Sequence, residues 1–156
     1  MLLDVLLFYC LTTLKEFTML KNKKTYYQLI LDKSGSMHDC VNTTINGFNE
    51  QMQMIRSLKK KYPKQEFVVS LTTFNQEVHF DINQEIPDNI KELTTSNNFH
   101  DYKKNENRIN YLPNGMTALY DAIGMSVKNI LKLANEEIIN DQATVVVVII
   151  TDGHEN

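Results

Sequence analysis

Two aspartates, each standing before a glycine-containing turn, have the clearest chemical potential in this chain. Asp32 follows a β-prone apolar run, Tyr26 to Leu31, and begins the segment Asp-Lys-Ser-Gly-Ser. Asp152 follows a run of valine and isoleucine, Thr144 to Ile150. Ligands of open α/β sheets bind at the carboxyl ends of parallel strands, so neighbouring strands would make these carboxylates converge. Crowding raises the pKa of one carboxyl group unless a cation lies between them, and the pairing therefore predicts an ion.

Hydroxyl side chains near the two turns extend the predicted ligand set. Ser34 and Ser36 alternate with Asp32 on one tight loop, where Gly35 permits the backbone conformation. The complete predicted set is Asp32, Ser34, Ser36, Thr117 and Asp152. Hard oxygen donors suit Mg²⁺, Mn²⁺ or Ca²⁺, and a sparse set that leaves room for waters suits octahedral Mg²⁺ best.

The apolar pattern around these turns predicts alternating strands and helices. Apolar residues from Val41 recur at spacings of three and four until Pro63 ends the helix, and Glu77 to Ile82 alternates like an edge strand. The predicted strands are Tyr26–Leu31, Glu66–Phe74, Glu77–Ile82 and Thr144–Ile150. Besides the helix that begins at Val41, helices are predicted over Ile86–Leu93 and Thr117–Ala134. Thr94–Asn110 is predicted to be a mobile surface loop.

This order of elements predicts a Rossmann-like, three-layer α/β domain with a mostly parallel sheet and one antiparallel edge strand. The valine and isoleucine of Thr144–Ile150 are typical of a central strand covered on both faces.

The overall composition limits the other functions open to the chain. Its 156 residues fit one domain, and a net charge of −3 does not call for nucleic acid as a partner. Cys10 and Cys40 have no CxxC spacing, which is compatible with a reducing compartment such as the cytoplasm. The four histidines are scattered without metal-binding spacing, and no phosphate-cradling GxxxxGK loop is present.

The first residues form a separate question. Met1 to Leu14 is apolar, but Asp4 interrupts it and it is shorter than a membrane span, so no firm membrane association is expected. We interpret residues 1–24 as an N-terminal extension, either a weak targeting segment or sequence upstream of a true start at Met19, and residues 25–156 as the domain.

Three segments together resemble the von Willebrand factor type A (vWA) family. Asp32 to Met37 looks like its Asp-x-Ser-x-Ser signature, which forms the metal-ion-dependent adhesion site. Asn114 to Ile123 resembles the family's threonine loop and following helix, and Thr151-Asp152-Gly153 resembles its second aspartate turn. The family's sheet continues past that turn, whereas this chain stops at Asn156, which predicts a C-terminally truncated domain with an exposed apolar edge strand.

The resemblance implies a role for each residue. Ser34 and Ser36 would bind the ion directly, Thr117 directly or through water, and Asp32 and Asp152 mainly through water. It also implies an open coordination position that a Glu or Asp of a protein partner fills.

The leading hypothesis is therefore a non-enzymatic, metal-dependent binding or scaffold module. A regulatory subunit of a larger ATP-driven or stress-response assembly is the alternative. A metal-dependent phosphoester hydrolase with Asp32 as nucleophile is disfavoured, because no general base stands at a matching spacing. Asn75 is open to two interpretations, a turn former or a residue at the rim of the site.

Overall fold

The computed structural model describes residues 24–94 and 111–153. The strands are β1 (Lys24–Asp32), β2 (Glu66–Phe74), β3 (Val78–Glu85) and β4 (Ala143–Ile150); the helices are α1 (Val41–Lys61) and α2 (Leu119–Ile139); and short 3-10 helices cover Gly35–Cys40 and Pro87–Asn89. The predicted order of strands and long helices is confirmed.

The four strands form one mixed sheet in the order β3-β2-β1-β4. β1 pairs in parallel with β2 on one side and with β4 on the other, and β3 pairs antiparallel with β2. This arrangement confirms the predicted Rossmann-like α/β class with one antiparallel edge strand. It also brings the carboxyl ends of β1 and β4 side by side.

The two long helices cover opposite faces of the sheet. Alternate side chains of a strand point to opposite faces, so β1 contributes to both cores. On one face Leu29 belongs to an apolar cluster with Phe48 and Met52 of α1. On the other face Tyr26 packs in a cluster with Ile130 of α2. The sheet is therefore the middle layer of three.

A buried polar contact crosses the layer between the sheet and α2. Gln28 of β1 donates from Nε2 to Thr72 Oγ1 of β2 at 3.0 Å, and Ser126 Oγ of α2 donates to the same oxygen at 3.0 Å. All three side chains are buried. They lie midway along the strands and the helix, so they separate the two apolar clusters that α2 forms with the sheet.

The helix predicted over Ile86–Leu93 is wrong, because only Pro87–Asn89 form a single 3-10 turn. The rest of the segment is held by side chains of α1 instead of by its own helical bonds. The Asn49 amide donates to the Leu93 carbonyl at 3.1 Å and accepts from the Leu93 N–H at 2.8 Å. Arg56 donates to two further carbonyl oxygens of the segment.

The central position that the composition of β4 favours is not observed within the described part of the chain, where β4 has the edge position of the second expectation. β4 pairs only with β1 there and forms the edge of the sheet. Val145, Val146 and Val147 are partly exposed, whereas the residues of β1 that pair with them are buried. Composition alone could not distinguish a central strand from an edge strand, because a strand covered by helices on both faces is apolar in either position.

Two predicted segments lie almost wholly outside the described residues. Lys24 is the one described residue of the expected N-terminal extension, and Thr94 is the one described residue of the expected loop over 94–110. Neither α1 nor α2 has the length and hydropathy of a membrane-spanning helix.

Candidate metal centre

The predicted ligand residues lie at three places: the carboxyl end of β1, the carboxyl end of β4 and the loop before α2. Asp32 is the last residue of β1, and Ser34 and Ser36 lie in the turn that begins the first 3-10 helix. Thr117 stands just before α2, and Asp152 comes shortly after β4. Because β1 and β4 are parallel neighbours, the turns that follow them lie at the same edge of the sheet.

The Asp32 carboxylate is fully buried and held by two hydrogen bonds. Its Oδ1 accepts from the Ser34 N–H at 2.8 Å, and its Oδ2 accepts from the Thr151 hydroxyl at 2.7 Å. Burial raises the pKa of Asp32, because it disfavours the charged form. The hydrogen bonds from Thr151 and Ser34 lower that pKa in part, and the negative charge of Asp152 raises it further. A cation at this edge would stabilise both carboxylates.

The two serine hydroxyls form a pair next to this carboxylate. Ser34 Oγ and Ser36 Oγ are 3.1 Å apart. Neighbouring ligands of an octahedral Mg²⁺ bind at about 2.1 Å and are therefore about 3.0 Å from each other. Ser34 is buried and Ser36 is exposed, so the pair leads from the interior to the surface. The spacing and the oxygen chemistry of this pair both fit a hard divalent ion.

The loop that carries Thr117 is bonded directly to the loop that carries the serines. The Gly35 N–H donates to the Gly115 carbonyl at 2.9 Å, and the Asn114 N–H donates to the Lys33 carbonyl at 2.8 Å. A Cβ on Gly35 would lie 3.1 Å from the Gly115 oxygen, a tight contact, so glycine favours this close approach. Thr117 itself is buried. The three hydroxyl residues thus lie on two loops held together by their backbones.

A family model for the von Willebrand factor type A domain matches residues 28–156. The chain belongs to this family. The matched region contains β2, β3, β4, both long helices, most of β1 and all five predicted ligand residues. Comparisons with curated proteins and with solved structures found no match. Domains of the vWA family commonly serve as protein-interaction modules without catalysis of their own, and they often bind a divalent metal.

This vWA domain has few anionic groups at the edge where its candidate site lies. Within residues 24–94 and 111–153, no three or more histidine, cysteine, aspartate or glutamate side chains form a cluster that could hold a metal ion. An ion at this edge would therefore depend on hydroxyl groups and waters in addition to the carboxylates of Asp32 and Asp152.

Tyr111 is hydrogen-bonded to the backbone at the end of β1, and the sequence contained no signal for this contact. Its buried hydroxyl donates to the Asp32 carbonyl at 2.7 Å and forms a second hydrogen bond with Thr44 in the first turn of α1. Burial raises the pKa of the Tyr111 hydroxyl far above its ordinary value. The side chain therefore links α1 to the end of β1. A single tyrosine between Asn110 and Leu112 belongs to no periodic pattern that could have identified it.

Asn75 is a turn former, one of the two interpretations that the sequence left open, and it also contacts the loop that carries Thr117. Its Oδ1 accepts from the Glu77 N–H at 3.1 Å, which forms the turn between β2 and β3. Its Nδ2 donates to Asn114 Oδ1 at 2.8 Å, which reaches the loop that carries Thr117.

Proposed function

We propose that this vWA domain binds a divalent ion, Mg²⁺ in preference to Mn²⁺ or Ca²⁺, at a site of the metal-ion-dependent adhesion type. The proposed ligand residues are Asp32, Ser34, Ser36, Thr117 and Asp152. The observation that carries the proposal is the 3.1 Å separation of two serine hydroxyls beside a buried carboxylate.

The hydrogen bonds of the candidate site support different roles for its residues. Ser34 and Ser36 have the spacing of adjacent direct ligands. Both oxygens of Asp32 already accept a protein hydrogen bond, and the lone pairs that remain suit a bond from an ion-bound water. Thr117 would bind directly or through water, and Asp152, which is half-buried, would act mainly through water.

We further propose that the ion docks a Glu or Asp of a protein partner. A site with few direct anionic ligands leaves an ion electrophilic, so an incoming carboxylate gains a charge-assisted bond. The exposed position of Ser36 gives a partner access to this edge of the domain. When bound, the ion supplies the positive charge that a carboxylate requires, because Asp32 and Asp152 would otherwise repel it.

Calorimetric titration with Mg²⁺ and Mn²⁺ tests the ion site. The wild-type domain should bind either ion, and Asp32→Ala and Ser34→Ala should both abolish binding. Ser57→Ala is the matched control, because the Ser57 residue is exposed and its hydroxyl donates to the Gln53 carbonyl within α1. Wild-type titration curves from Asp32→Ala and Ser34→Ala would contradict the proposal.

Affinity capture tests the docking of a partner. A partner of the proposed kind should be retained by the wild-type domain in Mg²⁺, and it should be lost with EDTA or with Ser34→Ala. Replacement of one Glu or Asp of that partner by Gln or Asn should also release it. Capture that survives EDTA would refute docking through the ion, and metal-dependent turnover of a phosphoester panel would indicate the hydrolase alternative.

A further inference from the structure

The turn between β2 and β3, residues 75–77, contacts the loop that carries Thr117. We call the first segment the hairpin turn and the second, residues 114–118, the threonine loop. The Asn75 carbonyl accepts from the Ala118 N–H at 2.8 Å, and its side-chain Nδ2 donates to Asn114 Oδ1 at 2.8 Å. The Gln76 side chain lies over Gly115, where an added Cβ would be 1.8 Å from Gln76 Oε1. The hairpin turn therefore contacts the threonine loop at three residues, Asn114, Gly115 and Ala118.

The direction of the side-chain bond is determined by its surroundings. Asn75 is 7% exposed, and one end of its amide contacts the Glu77 backbone N–H. A backbone N–H can only donate, so the amide oxygen must face Glu77 and the amide NH₂ must face Asn114. The local turn thus uses the oxygen of Asn75, and the contact with the threonine loop uses its nitrogen. A substitution can remove the second function and keep the first.

The threonine loop is held from two sides. On one side the Gly115 carbonyl and the Asn114 N–H bond to the loop that carries Ser34 and Ser36. On the other side the hairpin turn supplies the bonds from Asn75. Without the Asn75 side-chain bond, the loop would keep its bonds to the serine loop and the backbone bond from the Ala118 N–H, but Asn114 would no longer be held against the hairpin turn. The position of Thr117, between these two attachments, therefore depends on both.

We propose that Asn75 is a positioning residue that sets the place of Thr117 at the ion site. The proposal rests on the ion site proposed above. Asn75 itself binds no ion and acts through the threonine loop. A change in the hairpin turn would therefore change the ion affinity of the domain without a change in any ligand.

Two substitutions that each add one negative charge distinguish a positioning role of Asn75 from an effect of the added charge. Asn75→Asp keeps an oxygen for the Glu77 N–H but removes the donor and places an oxygen against Asn114 Oδ1. Asn114→Asp adds the same charge at the same contact but keeps an acceptor for Asn75 Nδ2. Because the two variants share the added charge and differ in this part-buried hydrogen bond, Asn75→Asp should bind Mn²⁺ about three- to tenfold more weakly than Asn114→Asp.

The decisive measurement is a double-mutant cycle with Thr117→Ala, read by Mn²⁺ titration. If Asn75 acts through Thr117, Asn75→Asp should cause no further loss of affinity in the Thr117→Ala background. An equal loss in both backgrounds would show an effect on the fold as a whole and would overturn the proposal.

The outcomes also separate this inference from the proposed function. A wild-type domain that binds no Mn²⁺ would refute the ion site and this inference with it. A wild-type domain that binds Mn²⁺, with equal affinities for Asn75→Asp and Asn114→Asp, would refute only the role of Asn75. If Asn75→Asp does not fold, Asn114→Ala removes the same bond from the exposed side, and it should weaken Mn²⁺ binding to the same extent.

Discussion

The hydroxyl of Tyr111 offers the sharpest test of how the end of β1 is supported. The side chain is 1% exposed, and its hydroxyl stands between the Asp32 carbonyl and Thr44. Tyr111→Phe removes one oxygen atom and keeps the buried ring. The substitution therefore isolates the two hydrogen bonds from the apolar packing of the ring.

The expected cost follows from the groups left without this partner. A buried acceptor that loses its donor costs about 1–3 kcal/mol, and the Asp32 carbonyl becomes such a group. We expect the free energy of unfolding to fall by about 2 kcal/mol, which is about a 30-fold change in the unfolding equilibrium. For a chain of 156 residues this corresponds to a Tm lower by about 4–8 °C.

Urea and thermal unfolding followed by circular dichroism measure this effect. Tyr120→Phe is the matched control, because Tyr120 is 72% exposed and its hydroxyl can bond to water in either state. The control should unfold like the wild type. A Tyr111→Phe variant within about 0.5 kcal/mol of the wild type, or a Tyr120→Phe variant that loses as much, would refute the reasoning.

Two further substitutions test the contacts around the candidate site. Thr151→Val should lower the free energy of unfolding by about 1.5–3 kcal/mol in urea, because the buried Asp32 carboxylate loses a donor, and Thr151→Ser should restore it. Gly35→Ala should weaken Mn²⁺ binding about tenfold in calorimetry, because its Cβ would crowd the Gly115 carbonyl and separate the two loops. Gly47→Ala in α1, where a Cβ meets nothing within 4 Å, should leave Mn²⁺ affinity unchanged.

The main elements could be predicted because their apolar residues repeat with the period of the element itself. β2 was predicted with its observed bounds, Glu66–Phe74, and α1 begins at Val41 and ends before Pro63 as predicted. The segment over 86–93 could not be predicted in this way. Its backbone bonds to Asn49 and Arg56, and the bonds from Asn49 join residues 44 positions apart. No local pattern records such a contact.

The same distinction applies to the candidate site. Asp32, Ser34 and Ser36 could be identified because alternate polar residues directly follow an apolar strand. Tyr111 could not, because its role arises from a bond to a residue 79 positions away. Asparagine is a common residue in turns, so the sequence around Asn75 indicates no more than a turn. Its NH₂ group gains a partner because the threonine loop packs against that turn. The sequence thus indicated the candidate ligands, whereas the residues that hold them in place are apparent only from tertiary contacts.

The polar contact among Gln28, Thr72 and Ser126 has a consequence for how α2 can move. A helix that slips along a purely apolar face by one turn, about 5.4 Å, can repack with other apolar side chains. Here such a slip would bring Ala122 or Ile130 to the position of Ser126 and leave the hydroxyl of Thr72 opposite a hydrocarbon side chain. The polar contact therefore selects a single register of α2 on the sheet, and with it the height of Thr117 above the sheet edge.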